Sequence, residues 1–226
     1  MTDRPAAVTG LTRRRGDVLA LDDVTLSFGP GALHVLAGPN GSGKTTLLRV
    51  LAGLDEPTAG EVTCPADVGC SFQTPSVYGD LTVAENLDAF GGLSDADGAW
   101  RATLVERLGL ESVRDRPADT LSDGQAAALD LALALLGEPA TLLLDEPLAD
   151  LDAARRRAAL SLLEAFRAPE RTVVLSTHDV AALDALCDRL VVLFDGTVVL
   201  NERESALASA PSTAVAEGVE AALERQ

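Results

Sequence analysis

Lysine is almost absent from this chain, and Lys44 is the only one among its 18 basic residues. Those 18 face 35 acidic residues, which gives a formal net charge of -17. Proteins that bind nucleic acid non-specifically need a basic footprint, so the charge balance excludes that class and predicts no nucleic-acid partner. The same balance disfavours electrostatic docking on anionic lipid.

Other classes are disfavoured by what is missing. No apolar run approaches the roughly 20 residues that span a bilayer, and the first ten residues lack the apolar core of a signal peptide. We therefore expect a cytoplasmic protein. Cys64, Cys70 and Cys187 are odd in number and lack metal-ligand spacing, so buried free thiols are the simplest interpretation.

The excess of acid over lysine has two interpretations. Dense surface carboxylates suit a salt-loaded cytoplasm, where a short Debye length screens their mutual repulsion, as in halophilic archaea. An arginine-rich, GC-biased mesophile has a similar composition. The acidic surface also keeps the protein soluble in either case.

The single lysine lies in GPNGSGKTT at residues 38–46, which matches G-x-x-x-x-G-K-[ST]. An apolar strand precedes this loop and a helical pattern follows it, so successive backbone N–H groups form an anion nest at a helix N-terminus. Lys44 would bridge the β- and γ-phosphates of ATP, and the Thr45 hydroxyl would ligate Mg²⁺. The predicted ATP-binding residues of the loop are Gly38, Pro39, Asn40, Gly41, Ser42, Gly43, Lys44, Thr45 and Thr46.

Two carboxylates end the apolar run TLLLDEP about 100 residues later. In proteins with such a phosphate loop, a carboxylate at this place holds Mg²⁺, and we assign that role to Asp145. Glu146 is placed to polarise the attacking water as a general base.

His178 and Ser122 each have a structural and a functional interpretation. His178 ends the apolar strand TVVLSTHD, where it is either structural or a donor to the γ-phosphate. Ser122 opens a helix in LSDGQ, where it is either a simple N-cap or part of a helix N-terminus that meets phosphate.

The chain alternates strand and helix patterns except between residues 75 and 120, where helical periods predict a small helical insertion. We therefore divide one domain into an α/β core (1–74 and 121–205), a helical subdomain (75–120) and a C-terminal tail (206–226). Within the core, we predict helices at 153–166 and 181–190.

Taken together, the phosphate loop, Gln73, LSDGQ, TLLLDEP, LADLD and His178 resemble the ATP-binding cassette (ABC) ATPases in order and spacing over residues 8–200. This resemblance implies an α/β fold: a P-loop NTPase core with a mostly parallel sheet, an N-terminal antiparallel β part and a small helical subdomain. It also implies a head-to-tail dimer with a second copy or a paralogous ABC subunit, in which each ATP lies between one P-loop and the Ser122 and Gly124 of the other subunit. Gln73 would be a catalytic and Mg²⁺-contacting glutamine, Asp152 would lie at the dimer interface, and His178 would be the switch histidine.

The sequence departs from the family at two places. Arg15 stands where an aromatic residue usually stacks on adenine, and a guanidinium can stack on a base face, so we include Arg15 in the ATP site. Asp123 stands where glycine is usual, and its carboxylate costs electrostatically if it faces a γ-phosphate.

The resemblance further implies an ATPase that drives a transporter from the inner face of the cell membrane, bound there through integral membrane permease subunits. The short helical insertion and the brief tail favour an export type. The alternative is a soluble, non-transport cassette such as an iron–sulfur-assembly ATPase.

Overall fold

A computed structural model describes residues 5–63, 67–94, 97–183 and 185–203. The described residues form nine strands and five α-helices. These are β1 Ala6–Arg15, β2 Val18–Phe28, β3 Ala32–Ala37, α1 Lys44–Leu51, β4 Ala59–Thr63, β5 Val68–Ser71, α2 Val83–Ser94, α3 Gly98–Arg107, α4 Asp123–Leu136, β6 Thr141–Asp145, α5 Ala153–Phe166, β7 Thr172–Thr177, β8 Arg189–Phe194 and β9 Thr197–Arg203.

A six-stranded sheet in the order β5-β6-β7-β3-β8-β9 forms the centre of the fold. Its first five strands are parallel, and β9 pairs antiparallel with β8 at the edge. Helices or strands cover both faces, which explains why these strands are continuous apolar runs without polar alternation. In β6, for example, Leu142 and Leu144 belong to one core cluster and Leu143 belongs to the other.

A three-stranded antiparallel sheet, β2-β1-β4, covers one face of the central sheet. Helix α1 lies between the two sheets, and its residues Leu47, Leu48, Val50 and Leu51 are buried with the apolar residues of β1 and β2. The α/β fold with an N-terminal antiparallel part is thus confirmed.

The other face of the central sheet packs against α2, α3, α4 and α5. Helices α2 and α3 fall inside residues 75–120, where the sequence shows helical periods. Among the residues that the structure describes, no helix has the length and apolar character that crossing a bilayer requires.

The helix predicted over 181–190 was wrong. The described part of this stretch holds a short 3₁₀ turn, Val180–Leu183, followed by turns and then β8 from Arg189. Asp188 is held in this non-helical segment because its Oδ2 accepts a hydrogen bond from the Leu33 N–H (2.7 Å) and pairs with Arg167 (2.6 Å). Cys64 and the tail 206–226 lie outside the described residues, while Cys187 is buried and Cys70 is half-buried.

Candidate active site at the carboxyl edge of the central sheet

The carboxyl ends of β3, β6 and β7 meet at one edge of the central sheet. Ala37 is in register with Thr177, and Asp145 is in register with Ser176. The segments that follow these strands therefore leave the sheet side by side. Ligands of open α/β sheets bind outside the carboxyl ends of the strands, and this is where the sequence places its phosphate loop.

Two glycines of the loop are required by its backbone. Gly43, directly before α1, has φ +105°, and a Cβ there would lie 2.6 Å from the Ala20 carbonyl oxygen. Gly38 has φ +143°, and its Cβ would lie 2.1 Å from the Leu193 carbonyl oxygen. Side chains at these positions combine left-handed strain with a clash against backbone, so the loop can only take this shape with glycine at both.

Lys44 is buried in the loop, with a relative exposure of 6%. Its Nζ donates to the carbonyl oxygens of Gly38 (2.8 Å) and Pro39 (3.1 Å). Burial lowers the pKa of Lys44, and the nearby carboxylates of Glu146 and Asp145 oppose that shift. The ammonium is therefore held within the loop by two carbonyl oxygens and faces the two acids.

Thr45 and Asp145 are 100 residues apart in sequence and in direct contact in the structure. The Thr45 hydroxyl donates to Asp145 Oδ2 at 2.6 Å, and the Ser176 hydroxyl donates to Asp145 Oδ1 at 2.5 Å. Both oxygens of this buried carboxylate are thus oriented. Sequence reasoning missed Ser176, whose only signal is a hydroxyl residue near the end of the strand that neighbours β6.

Glu146 is joined to His178 at the same edge. Nδ1 of His178 lies 2.5 Å from Oε2 of Glu146, so the ring nitrogen donates to the carboxylate when Glu146 is ionised. Glu146 also has φ +55°, a conformation that non-glycine residues rarely adopt. Its N–H donates to the Ser176 hydroxyl (3.0 Å) and to the Ser176 carbonyl (3.2 Å), which hold the residue in that conformation. A strained acid of this kind is a frequent feature of functional sites.

The arrangement fits ATP and Mg²⁺. The first N–H groups of α1 have no intrahelical acceptor, and the hydroxyl of Ser42 is buried without a hydrogen-bond partner among the described residues. Thr45 and Asp145 supply a hydroxyl and a carboxylate oxygen, and Mg²⁺ is typically held by one or two carboxylates plus substrate phosphates. A complete protein cage is not needed, and no group of three or more His, Cys, Asp or Glu in the described part of the chain is arranged to hold a metal.

Gln73 and LSDGQ lie on the elements beside this site. Gln73 is exposed in the segment after β5 and lines a cavity of about 220 Å³ together with Asp145, Glu146 and Asp123. Ser122 is the N-cap of α4, and its N–H donates to Oε1 of Gln125 (3.1 Å). No hydrogen bond among the described residues joins Ser122 or Gly124 to the loop 38–46 of the same chain.

Arg15 ends β1 and is fixed by an acid. Its Nη2 lies 2.5 Å from Asp55 Oδ2, and Arg49 donates to both oxygens of the same carboxylate at 3.2 Å. The hydrogen bond from Arg49 lowers the pKa of Asp55, and Arg15 adds to that shift while partial burial opposes it. Arg15 and Thr45 line one cavity of about 440 Å³, so the arginine lies on the nucleotide side of the fold.

A family model described as "ABC transporter" matches residues 21–149, more than half of the chain. A putative ABC transporter ATP-binding protein of Streptomyces avermitilis is 41% identical over 209 residues. That alignment covers 86% of this chain and 37% of the Streptomyces protein, so the chain spans about a third of that relative.

A phosphonates import ATP-binding protein of Natronomonas pharaonis is 38% identical, with 92% of this chain and 98% of the relative covered. The relatives named as importers give no support to the export-type prediction, and the transporter names count against a non-transport cassette. The relatives also give no support to a halophilic origin.

A solved dimeric structure of MJ0796, a bacterial ABC transporter cassette, superimposes with a TM-score of 0.76 at 27% identity, over 88% of this chain and 98% of that one. The residues that the family model matches, 21–149, include the phosphate loop, Gln73, LSDGQ, Asp145 and Glu146. The chain therefore belongs to the ABC transporter family of ATP-hydrolysing, Mg²⁺-dependent proteins.

Proposed function

We propose that this chain is the ATP-hydrolysing subunit of an import-type ABC transporter and acts with a second cassette and with membrane permease subunits. The observation that carries the proposal is the convergence of Lys44, the Thr45–Asp145 pair and the Glu146–His178 pair on one edge of the sheet. The direction of transport rests on the import names of the relatives.

In this proposal each side chain acts from the position that it occupies in the structure. Lys44 and the N-terminus of α1 bind the phosphates, and Glu146 accepts the proton of the attacking water. His178 keeps Glu146 oriented through the 2.5 Å contact between Nδ1 and Oε2. His178 also donates to the γ-phosphate when the phosphate approaches its ring. Thr45, Asp145 and Gln73 would hold Mg²⁺, which would supply positive charge against the phosphate oxygens.

A second cassette completes the site. Ser122 is exposed at the N-terminus of α4, and Asp152 is exposed at the N-terminus of α5. Neither is hydrogen-bonded to the phosphate loop of its own chain among the described residues, and both are accessible to another subunit. The Asp152 carboxylate also caps α5 and pairs with Arg155 (2.6 Å), so it would approach that subunit from a fixed position. In the proposed head-to-tail dimer, Ser122 and Gly124 of one copy meet the ATP bound by Lys44 of the other. A dimer is also the form of the solved MJ0796 cassette.

The proposed division of the chain follows the same chemistry. The core of 1–74 and 121–205 carries the nucleotide residues, and the region 75–120 with α2 and α3 forms a helical subdomain that contacts the permease. Gln73 lies at the junction of the core and the helical subdomain. A change at the nucleotide that moves Gln73 would therefore also move the subdomain that contacts the permease.

One experiment tests enzyme and transport roles together. The chain is purified with its native membranes after mild detergent extraction, its partners are identified, and phosphate release is measured with and without EDTA. We expect an integral membrane protein to co-purify and phosphate release to require Mg²⁺. Recovery with soluble partners alone would contradict the transport role, and activity in EDTA would contradict the metal role.

Arg15 predicts weak discrimination between nucleobases. Its guanidinium is paired with Asp55, so it can stack on a base with its flat face but does not form hydrogen bonds that distinguish one base from another. We therefore expect ATP and GTP to bind with similar affinity. Arg15→Tyr should tighten ATP binding about tenfold, because base–aromatic stacking is worth roughly 1–3 kcal/mol. Competition against a fluorescent ATP analogue measures both.

Arg14→Tyr is the matched control, because Arg14 is exposed on the same strand and does not line the cavity that Arg15 shares with Thr45. Its ATP affinity should equal that of the wild type. A strong preference of the wild type for ATP over GTP, or equal tightening by both substitutions, would refute the role of Arg15.

A further inference from the structure

Helix α4 contains one charged residue in a long apolar stretch. Between Ala126 and Leu136 every residue is alanine or leucine except Asp130. Asp130 is buried, with a relative exposure of 2%. A carboxylate in such a place costs free energy unless it has partners, so it calls for an explanation that helix packing does not supply.

The partners of Asp130 come from both sides of Gln73. Its Oδ1 accepts a hydrogen bond from the Ser76 N–H at 2.7 Å. Burial raises the pKa of Asp130, and hydrogen bonding from the Ser71 hydroxyl and the N–H groups of Ser76 and Phe72 opposes that rise. One carboxylate on α4 thus holds the chain three residues after Gln73 through a hydrogen bond, and polar groups of the segment just before Gln73 lie near enough to stabilise its charge.

Asp130 also shares a cavity with the reacting groups. Asp123, Ala126, Ala127 and Asp130 repeat at helical spacing and form the α4 wall of the cavity of about 220 Å³. Gln73, Asp145 and Glu146 line its other side. The two alanines leave this space open. Oδ2 of Asp130 is buried and has no partner of normal hydrogen-bond geometry among the described residues.

Oδ2, which no described group contacts with normal hydrogen-bond geometry, argues against a purely stabilising role. A buried carboxylate with an unsatisfied oxygen is costly, and alanine at this position would suit the helix better. Ser76 is exposed, so water can replace the acid as acceptor for its N–H. We therefore expect the position of the Gln73 segment to depend on Asp130 more than the stability of the fold does.

We propose that Asp130 is a positioning residue for ATP hydrolysis, which fastens the segment carrying Gln73 to the helix whose N-terminus carries Ser122 and Gly124. This inference rests on the proposed function, because it assigns Gln73 to the Mg²⁺ and phosphate site. Through Asp130, a movement of Gln73 on nucleotide binding is passed to α4, which presents Ser122 to the second cassette.

Asp130→Ala tests this with rate, metal dependence and stability measured on the same sample. We expect kcat to fall about tenfold or more, because small displacements of a positioned group cost up to about a hundredfold. The Mg²⁺ concentration for half-maximal rate should rise, KM for ATP at saturating Mg²⁺ should stay within about twofold, and Tm should be unchanged or higher. Asp130→Asn should recover most of the rate, since its amide oxygen can accept the Ser76 N–H.

Asn86→Ala is the matched control. Asn86 is also fully buried on a helix and fastens the neighbouring turn, with Oδ1 accepting from the Tyr78 N–H and Nδ2 donating to three carbonyl oxygens, those of Tyr78, Leu81 and Thr82. Its loss should lower Tm by at least about 4 °C, while kcat and the Mg²⁺ dependence of the folded protein stay at wild-type values.

The outcomes separate the two proposals. If the wild type itself releases no phosphate with Mg²⁺, the proposed function fails. If the wild type is active and Asp130→Ala matches its kcat and Mg²⁺ dependence, only the role of Asp130 is overturned. That role is also overturned if Asp130→Asn is as slow as Asp130→Ala, or if Asn86→Ala shifts the Mg²⁺ dependence equally.

Discussion

Glu146→Gln is expected to reduce steady-state ATP hydrolysis by at least about a hundredfold, because loss of a positioned general base typically costs 10²–10⁴-fold. The side chain of Glu146 is 9% exposed and lies 2.5 Å from His178. Glutamine keeps the size and the contact to the imidazole but cannot take a proton from water. Phosphate release measures the loss of turnover, and ATP binding should stay at the wild-type level.

The same variant should accumulate as an ATP-bound dimer, because binding closes the site and hydrolysis no longer opens it. Light scattering with ATP and Mg²⁺ measures the mass, and a monomer in these conditions would be incompatible with the head-to-tail model. Glu138→Gln is the matched control: Glu138 also has positive φ (+48°) but pairs with Arg171 on the surface, away from the site. It should turn over ATP at the wild-type rate.

Lys44→Met should have the second large effect, with turnover reduced about 10²–10³-fold, the usual cost of removing a preorganised donor to developing charge. Methionine has a similar length and no charge, and Lys44 is only 6% exposed, so solvent is a poor replacement for the ammonium. Burial already disfavours the charged lysine, so Tm should not fall. Phosphate release and ATP titration together show whether binding, turnover or both are lost.

Lys44→Arg makes the test specific for a compact ammonium. Nζ occupies a buried place within 3.1 Å of two carbonyl oxygens, and a planar guanidinium is too wide for it. We expect at least about a tenfold loss in rate even though the charge is kept, since the displaced loop misplaces the phosphates. A wild-type rate in Lys44→Arg would show that charge alone suffices.

Much of the fold follows from local patterns. Apolar runs that lead into the glycine loop, the two acids and His178 predicted β3, β6 and β7, because parallel strands buried on both faces carry no polar alternation. Helix α5 has the predicted bounds of 153–166, since Asp152 caps it by accepting from the N–H groups of Ala154 and Arg155. These elements could thus be derived from periodicity and capping, whereas β1 and β4, which pair with each other in the antiparallel sheet, were not predicted.

Local patterns failed where distant contacts decide the outcome. The helix expected over 181–190 is absent from the described part of that stretch because Asp188 bonds to Leu33, 155 residues away. Asp130 gave a signal, a single acid in an apolar helix, but its partners in 71–76 cannot be read from the helix itself. Arg15 was predicted beside the base, and only the structure shows that Asp55 holds it.

The motifs of the chain are enough to establish its chemistry: a phosphate loop with its one lysine, two acids after an apolar strand, and the order of motifs that identifies an ABC cassette. Tertiary structure decided which groups act as pairs, namely Thr45 with Asp145, Glu146 with His178, and Asp130 with the Gln73 segment. The reason is physical. Residue spacing shows which face of a helix or strand a side chain occupies. The neighbours of that side chain depend on strand order and register, which only the packed sheet establishes.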